Sequence, residues 1–242
     1  MRRSWRWMAL ASGVALVLTT AAGCGGGGKS TKSKSKGHGG GTFTILAHTA
    51  PSGGPDPAIN YTLQYWQLLI DTHDGLVVFK KVGGNEGTKI VPDLAISIPK
   101  PTNGGKTWTF KLRRGIKYSN GTTVKPSDFT RTFERLFKVK GPTAGSFYKV
   151  LVGADACLKT AATCNLSNSV VADDKNYTVT FHLTGPDPEF LDKLAVPFAF
   201  VLPPSTPMKA VTIAPPGTGP YKFVEYNPRG QAKLVRNTYF KE

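Results

Sequence analysis

The sequence predicts a mixed α/β fold in which short strands and amphipathic helices share one core. Three observations carry this. Trp108, Phe110 and Leu112 alternate with Thr109, Lys111 and Arg113, the two-residue period of a strand with one buried face. Phe129, Phe133, Leu136 and Phe137 recur at helical spacing as one stripe, while Arg131, Glu134, Arg135 and Lys138 fall mostly elsewhere. Tyr177, Val179, Phe181 and Leu183 alternate again, after the turn residues Asp173-Asp174-Lys175-Asn176.

Composition bounds the function. The chain has 242 residues, of which 40% are hydrophobic and 10% aromatic, enough for one large or two small domains and incompatible with a disordered protein. The net charge is +16, but seven of the 31 basic residues and none of the 15 acidic ones lie in residues 1–42. The other 24 basic residues are scattered, without a basic helix, an aromatic-interleaved stripe or zinc-finger spacing, so no nucleic-acid partner is expected.

At the N-terminus, Arg2-Arg3 precede an apolar run over residues 8–18 that is too short to span a bilayer comfortably, followed by small residues up to Cys24. This pattern predicts an export signal over residues 1–23. Residues 24–42 are Gly, Ser and Lys almost throughout, a composition that cannot bury enough surface to fold and predicts a flexible tether. Its lysines add a weak, salt-screened attraction to anionic lipid.

Folded sequence is expected from Thr42, with an alternating strand over residues 42–47. The corner Pro55-Asp56-Pro57 precedes a predicted helix over residues 58–70, with Ile59, Leu63, Trp66 and Ile70 on the inner face and Tyr61, Gln64 and Tyr65 off it. Asp71, His73 and Asp74 follow. Three potential ligands in four residues raise a metal reading, but His38, His48 and His182 show no paired spacing to complete a shell, so a helix-ending turn is expected and no metal. A strand over residues 76–79, a Gly-Gly-Asn turn and a second strand from Ile90 come next.

The run over residues 108–118 leads into Ser119-Asn120-Gly121, where Asn-Gly tolerates the positive φ of a tight turn. Lys125-Pro126-Ser127-Asp128 then opens the helix, with Pro126 pre-set for its first turn and Asp128 placed to accept from free backbone N–H groups. Residues 141–145 break the pattern before Phe147-Tyr148. Cys157 and Cys164 lie in a Thr- and Ala-rich stretch, and three cysteines in an exported chain suggest one lipid-bearing residue and one disulfide pair. A short helix over residues 189–194, a buried strand over residues 198–202 and two alternating strands after Gly217-Thr218-Gly219 complete the expectations.

Several of these segments resemble known families. Ala21-Ala22-Gly23-Cys24 is similar to the lipobox of bacterial lipoproteins, whose Cys is lipidated and becomes the mature N-terminus, although a large aliphatic residue is more usual where Ala21 stands. An ordinary secretory signal with Cys24 left as a free thiol is the other reading. The WTF-x-LR-x-GIK-aromatic-SNG run at residues 108–121, GTGPYKF at 217–223 and LVRN at 234–237 resemble the signatures of the family 5 extracellular solute-binding proteins, the peptide, dipeptide and nickel receptors of ATP-driven importers. Asp56-Pro57, Asp74-Gly75-Leu76 and Pro92-Asp93-Leu94-Ala95 are similar to further steps of that family.

The resemblance implies a periplasmic-binding-protein-like type II fold. It implies a first-lobe core from residues 43–73 and 181–242, an inserted subdomain over residues 74–180, and a second lobe absent from this chain, which is then a fragment or a truncated paralogue. It further implies a lipid-anchored receptor on the outer face of the cytoplasmic membrane that binds peptides or related solutes, delivers them to an ABC permease and needs no cofactor. Asn60, Tyr61 and Leu63 stand where the family's ligand-bordering segment stands, with Phe147 as the aromatic after the signature helix. Ordinary core packing is the other reading of Leu63 and Phe147. The alternative function is a surface interaction module without transport. Catalysis lacks support, because Gly-x-Ser-x-Gly, His-Glu-x-x-His and P-loop patterns are all missing from the sequence.

Overall fold

The computed structural model describes residues 40–46 and 54–241. The chain divides into two units, residues 1–45 and 46–242, and all regular secondary structure among the described residues lies in the second. The expected export signal, most of the tether and Cys24 lie outside the described residues. Residues 42–46 form no strand, and Phe43 and Ile45 are exposed. Alternation makes a strand only where a neighbour takes its N–H and C=O groups, and no backbone hydrogen bond to this segment occurs among the described residues.

Helix α1 spans Leu63–Thr72, later than expected, because residues 57–59 form a separate turn that ends at Asn60. The inner face is also different. Tyr65, Leu69 and Thr72 are buried, whereas Leu63 and Ile70 are exposed and Trp66 is half-buried. Tyr65 sits at the centre because its ring packs on Tyr226 and the two hydroxyls hydrogen-bond, which lets a polar-tipped aromatic go fully inside.

Strands β1 (Val77–Phe79) and β2 (Ile90–Pro92) pair antiparallel, Val78 opposite Val91, around a 3₁₀ turn over Gly84–Thr88. Strand β3 (Thr107–Lys111) continues through a bridge between Leu112 and Ala95. Helix α2 (Pro126–Lys138) buries the expected Phe129, Phe133, Leu136 and Phe137. Its first turn is held from two sides. Asp128 Oδ2 accepts from the Lys125 N–H and the Tyr118 hydroxyl, and the Asp174 carboxylate accepts from the Ser127 N–H and hydroxyl, placing negative charge at the helix N-terminus.

Short helices α3 (Ala144–Tyr148) and α4 (Ala154–Lys159) precede strands β4 (Val170–Asp173) and β5 (Thr178–His182). The sheet order is β3-β5-β4, all antiparallel, with Trp108 opposite Phe181 and Phe110 opposite Val179. One face of this sheet meets the α2 stripe. Phe181 is the hub, with ring centroids 5.3 Å from Phe133, 5.4 Å from Phe190 and 5.9 Å from Phe110. Each such buried ring contributes about 1.5–3 kcal/mol by leaving water.

Helix α5 (Phe190–Leu194) follows, then a 3₁₀ turn at Pro197–Ala199 where a buried strand was expected. Burial is as expected there, but a ladder does not form. The Val201 N–H donates to Asp74 O and the Leu202 N–H to Thr132 Oγ1, so successive amides go to different elements. Strands β6 (Tyr221–Tyr226) and β7 (Ala232–Arg236) make a final two-stranded sheet.

Candidate functional site

Asn60, Tyr61 and Leu63 occupy the entry to α1, and buried polar bonds make that entry rigid. Asn60 is 5% exposed. Its Oδ1 accepts from the Thr62 N–H and hydroxyl, its Nδ2 donates to Gly54 O, and its backbone carbonyl accepts from Trp66 Nε1 at 3.0 Å. Tyr61 and Leu63, by contrast, are 65% and 69% exposed. Leu63 is therefore not core, and Asn60 is a scaffold whose side chain already serves the turn.

The loop in front of this entry is pinned by an ion pair. Asp56 Oδ1 and Oδ2 accept from Arg135 Nη1 and Nη2 at 2.8 and 2.7 Å, with both side chains at most 2% exposed. The same carboxylate accepts from the Ala58 and Val211 N–H groups, and Arg135 also donates to Pro207 O and Lys209 O. Three segments distant in sequence thus meet at one guanidinium. Arg135 does not follow the expectation that it lies off the buried side of α2. Asp128, Thr132 and Arg135 form a second, polar stripe beside the apolar one, and each is buried because each has partners: Tyr118, the Leu202 N–H and Asp56 respectively. A polar stripe reads as solvated until its partners are known. The sequence signal was the Asp at the Pro-Asp-Pro corner, an acid in a turn with no basic residue near it in sequence.

Phe147 is half-buried and packs on Tyr148 and Phe198, with centroids 6.0 and 5.7 Å apart. Phe198 in turn meets the Trp66 indole edge at 5.6 Å. Asn60 and Phe147 are therefore joined, Asn60 holding Trp66, Trp66 touching Phe198, and Phe198 touching Phe147, while Tyr61 and Leu63 stand exposed outside that chain of contacts. Trp66 and Phe198 are the links that sequence reasoning missed. Cavities of about 480 Å³ along residues 205–216 and about 460 Å³ between α2 and β4 include none of the four. The arrangement is an open wall with an exposed phenol and an exposed aliphatic chain on a rigid base, suited to contact with a ligand covered from the other side.

The far end of α1 is tied to the Gly217-Thr218-Gly219 turn. A Cβ on Gly217 would lie 2.0 Å from Thr72 O, and one on Gly219 would lie 2.7 Å from the Thr72 carbonyl carbon, so close approach demands glycine at both positions. The Gly219 N–H donates to Thr72 O, and Thr218 Oγ1 accepts from the Asp74 N–H. His73 is buried, its Nε2 bonded to Pro215 O and its Nδ1 to the Thr72 hydroxyl, and burial lowers its imidazole to about 4. It is neutral packing at physiological pH. Among the described residues no group of three or more His, Cys, Asp and Glu could hold a metal ion. The Sγ atoms of Cys157 and Cys164 are at bonding distance, 2.05 Å.

The two sequence motifs that stand apart along the chain also meet. The Ser119 N–H donates to Gly217 O, and the Tyr239 ring lies over Gly121, whose φ of +87° suits glycine. Asn237 anchors the end of β7 by donating from Nδ2 to Gly219 O and from its N–H to Pro220 O.

Comparison with known proteins agrees with this architecture. The profile of bacterial extracellular solute-binding proteins, family 5 Middle, matches residues 89–242. The chain is 32% identical to the dipeptide-binding protein of Escherichia coli over 76% of its own length and 35% of that protein. Among solved structures it is similar to clavulanic acid biosynthesis oligopeptide binding protein 2, with TM-score 0.64 and 27% identity over 78% of this chain and 34% of that one. The murein tripeptide binding protein MppA of Escherichia coli superposes with the same TM-score at 25% identity, over 78% of this chain and 36% of that one. The chain thus spans about a third of the length of these relatives. With its fold that of a type II periplasmic binding protein and its two signatures packed against each other, the chain belongs to the family 5 bacterial extracellular solute-binding proteins.

Proposed function

We propose that this chain supplies one wall of a peptide-binding receptor that serves an ABC importer. Within it, residues 43–73 and 181–242 act as the lobe core and residues 74–180 as an inserted subdomain. Tyr61 and Leu63 contact the ligand directly, Asn60 fixes their turn, and Phe147 backs the wall through Phe198. One observation carries this reading: an exposed Tyr61–Leu63 pair on a buried, fully bonded entry loop, in a chain whose relatives are named for binding peptides. Peptide receptors of this kind draw affinity from main-chain hydrogen bonds and tolerate varied side chains through hydrated pockets, which fits a wall with few charged groups. The receptor is exported and held at the outer face of the cytoplasmic membrane by lipid on Cys24, with a bridge between Cys157 and Cys164. No helix among the described residues is long and apolar enough to cross a membrane.

Titrating a di- and tripeptide pool into the isotope-labelled chain and following amide shifts tests the wall. Shifts should concentrate at residues 60–63 and 147 and vanish in Tyr61→Ala/Leu63→Ala. Shifts confined to other residues would displace the site. For the anchor, Cys24→Ser should release the protein from the membrane fraction, and unchanged membrane association would reject lipidation.

A further inference from the structure

The loop over residues 205–216 encloses a concavity of about 480 Å³ that the Tyr61–Leu63 wall does not use, within the size range of small-molecule sites. Its carbonyls are turned to the protein interior. Arg131 Nε and Nη2 donate to Pro204 O and Thr206 O, Arg135 Nε and Nη2 donate to Pro207 O and Lys209 O, and His73 Nε2 is bonded to Pro215 O. The Val211 N–H donates to Asp56 Oδ2, and a Cβ on Gly54 would lie 2.8 Å from Thr212 Cα, so the loop is also braced on the residues ahead of α1.

This bracing fixes where the amides face. In a trans peptide the N–H of one residue points opposite to the carbonyl before it, and no peptide bond among the described residues is cis. With the Pro204, Pro207 and Lys209 carbonyls drawn to guanidinium groups, the N–H groups of Ser205, Met208 and Ala210 are turned away from those groups. None of the three has a backbone hydrogen-bond partner, and Ser205 and Ala210 line the concavity. Thr206 lines it too, is 4% exposed, and has a hydroxyl buried without a partner.

The charge around the loop has one sign. Lys209 lines the concavity, and no Asp or Glu does. Beneath the loop, Asp56 neutralises Arg135, whereas Arg131 has no ion-pair partner among the described residues. Glu134, on the same helix as Arg131, accepts from the Leu166 N–H instead. The rest of the lining is apolar. Ile213 is 65% exposed, and Pro207, Val211 and Pro215 stand beside it.

We infer that this concavity is a second binding site, which takes a carboxylate carried on a small apolar body. Lys209 and the amides of Ser205 and Ala210 receive the carboxylate, because fixed N–H groups beside an unopposed cation favour an oxyanion. Ile213 and the prolines cover the apolar part. The site is separate from the Tyr61–Leu63 wall and stands whether or not that wall binds peptides.

Amide shifts of the isotope-labelled 242-residue chain test this at about pH 7, where a carboxylate is ionised. N-acetylleucine should shift Ser205 and Ala210 with roughly millimolar affinity, the strength of a small ligand at an open site. N-acetylleucinamide has the same body without the charge and should leave both amides in place; equal shifts from the two compounds overturn the inference. So do N-acetylleucine shifts confined to other residues, including residues 60–63 and 147 of the wall. Hexanoate, run in parallel, separates an acyl source from a peptide end, and tighter binding of either one supports the site. Inorganic phosphate binding as tightly as both overturns the apolar body. Lys209 is exposed, so Lys209→Ala leaves the fold intact and should weaken N-acetylleucine roughly threefold, as for one exposed charge pair. Unchanged affinity in that variant overturns the site.

Discussion

Replacing Arg135 by Met tests whether the buried ion pair positions the entry to α1. Met keeps most of the side-chain volume and removes all the donors. Asp56 would keep its bonds from the Ala58 and Val211 N–H groups but lose both guanidinium bonds, and Pro207 O and Lys209 O would lose theirs. Removing one partner of a buried pair costs about 3–5 kcal/mol, chiefly because a charge is left uncompensated in a low-dielectric site. Here both side chains are at most 2% exposed, so water cannot stand in without opening the loop. Against a total stability of about 5–15 kcal/mol, that loss should be plain in urea unfolding. The double variant Asp56→Leu/Arg135→Met should recover much of it, since no charge then remains buried. Amide exchange at Ala58 and Asn60 should quicken in the single variant, because Asp56 braces both. A single-variant loss below about 1 kcal/mol, the range of surface changes, would refute the reasoning.

Two further outcomes are expected. Because burial holds His73 near 4 in the fold, the unfolded chain takes up a proton first as pH falls. Its stabilising contribution is whole above about 6.5 and is lost as pH falls through 4, by about 3 kcal/mol in all, so His73→Gln should flatten that part of the wild-type stability profile. Cys157 and Cys164 should resist thiol titration in the unreduced folded protein, and Cys157→Ala/Cys164→Ala should lower stability by roughly 2–3 kcal/mol in the chain-entropy picture; two titratable thiols would refute the bridge.

The parts of this protein that sequence alone decides are those set by local periodicity and turn chemistry. The α2 stripe, the β3 and β5 alternation and the Asn120-Gly121 turn are readable because each expresses its geometry within a few residues. Family membership is readable for a related reason, since Ser119-Asn120-Gly121 and Gly217-Thr218-Gly219 are constrained where they meet and keep a recognisable form. Tertiary structure decides where polar residues go. Tyr65 turns inward because Tyr226 waits there, Arg135 because Asp56 does, and residues 198–202 stay out of a ladder because their amides find Asp74 and Thr132. Likewise Leu63 reads as the inner face of a helix begun at residue 58, yet Asn60 ends the preceding turn and shifts the helix start, which leaves Leu63 in solvent. A hydrophobic residue carries its reason for burial with it, whereas a buried polar group needs a partner, and partners many residues away are brought close only by the folded chain.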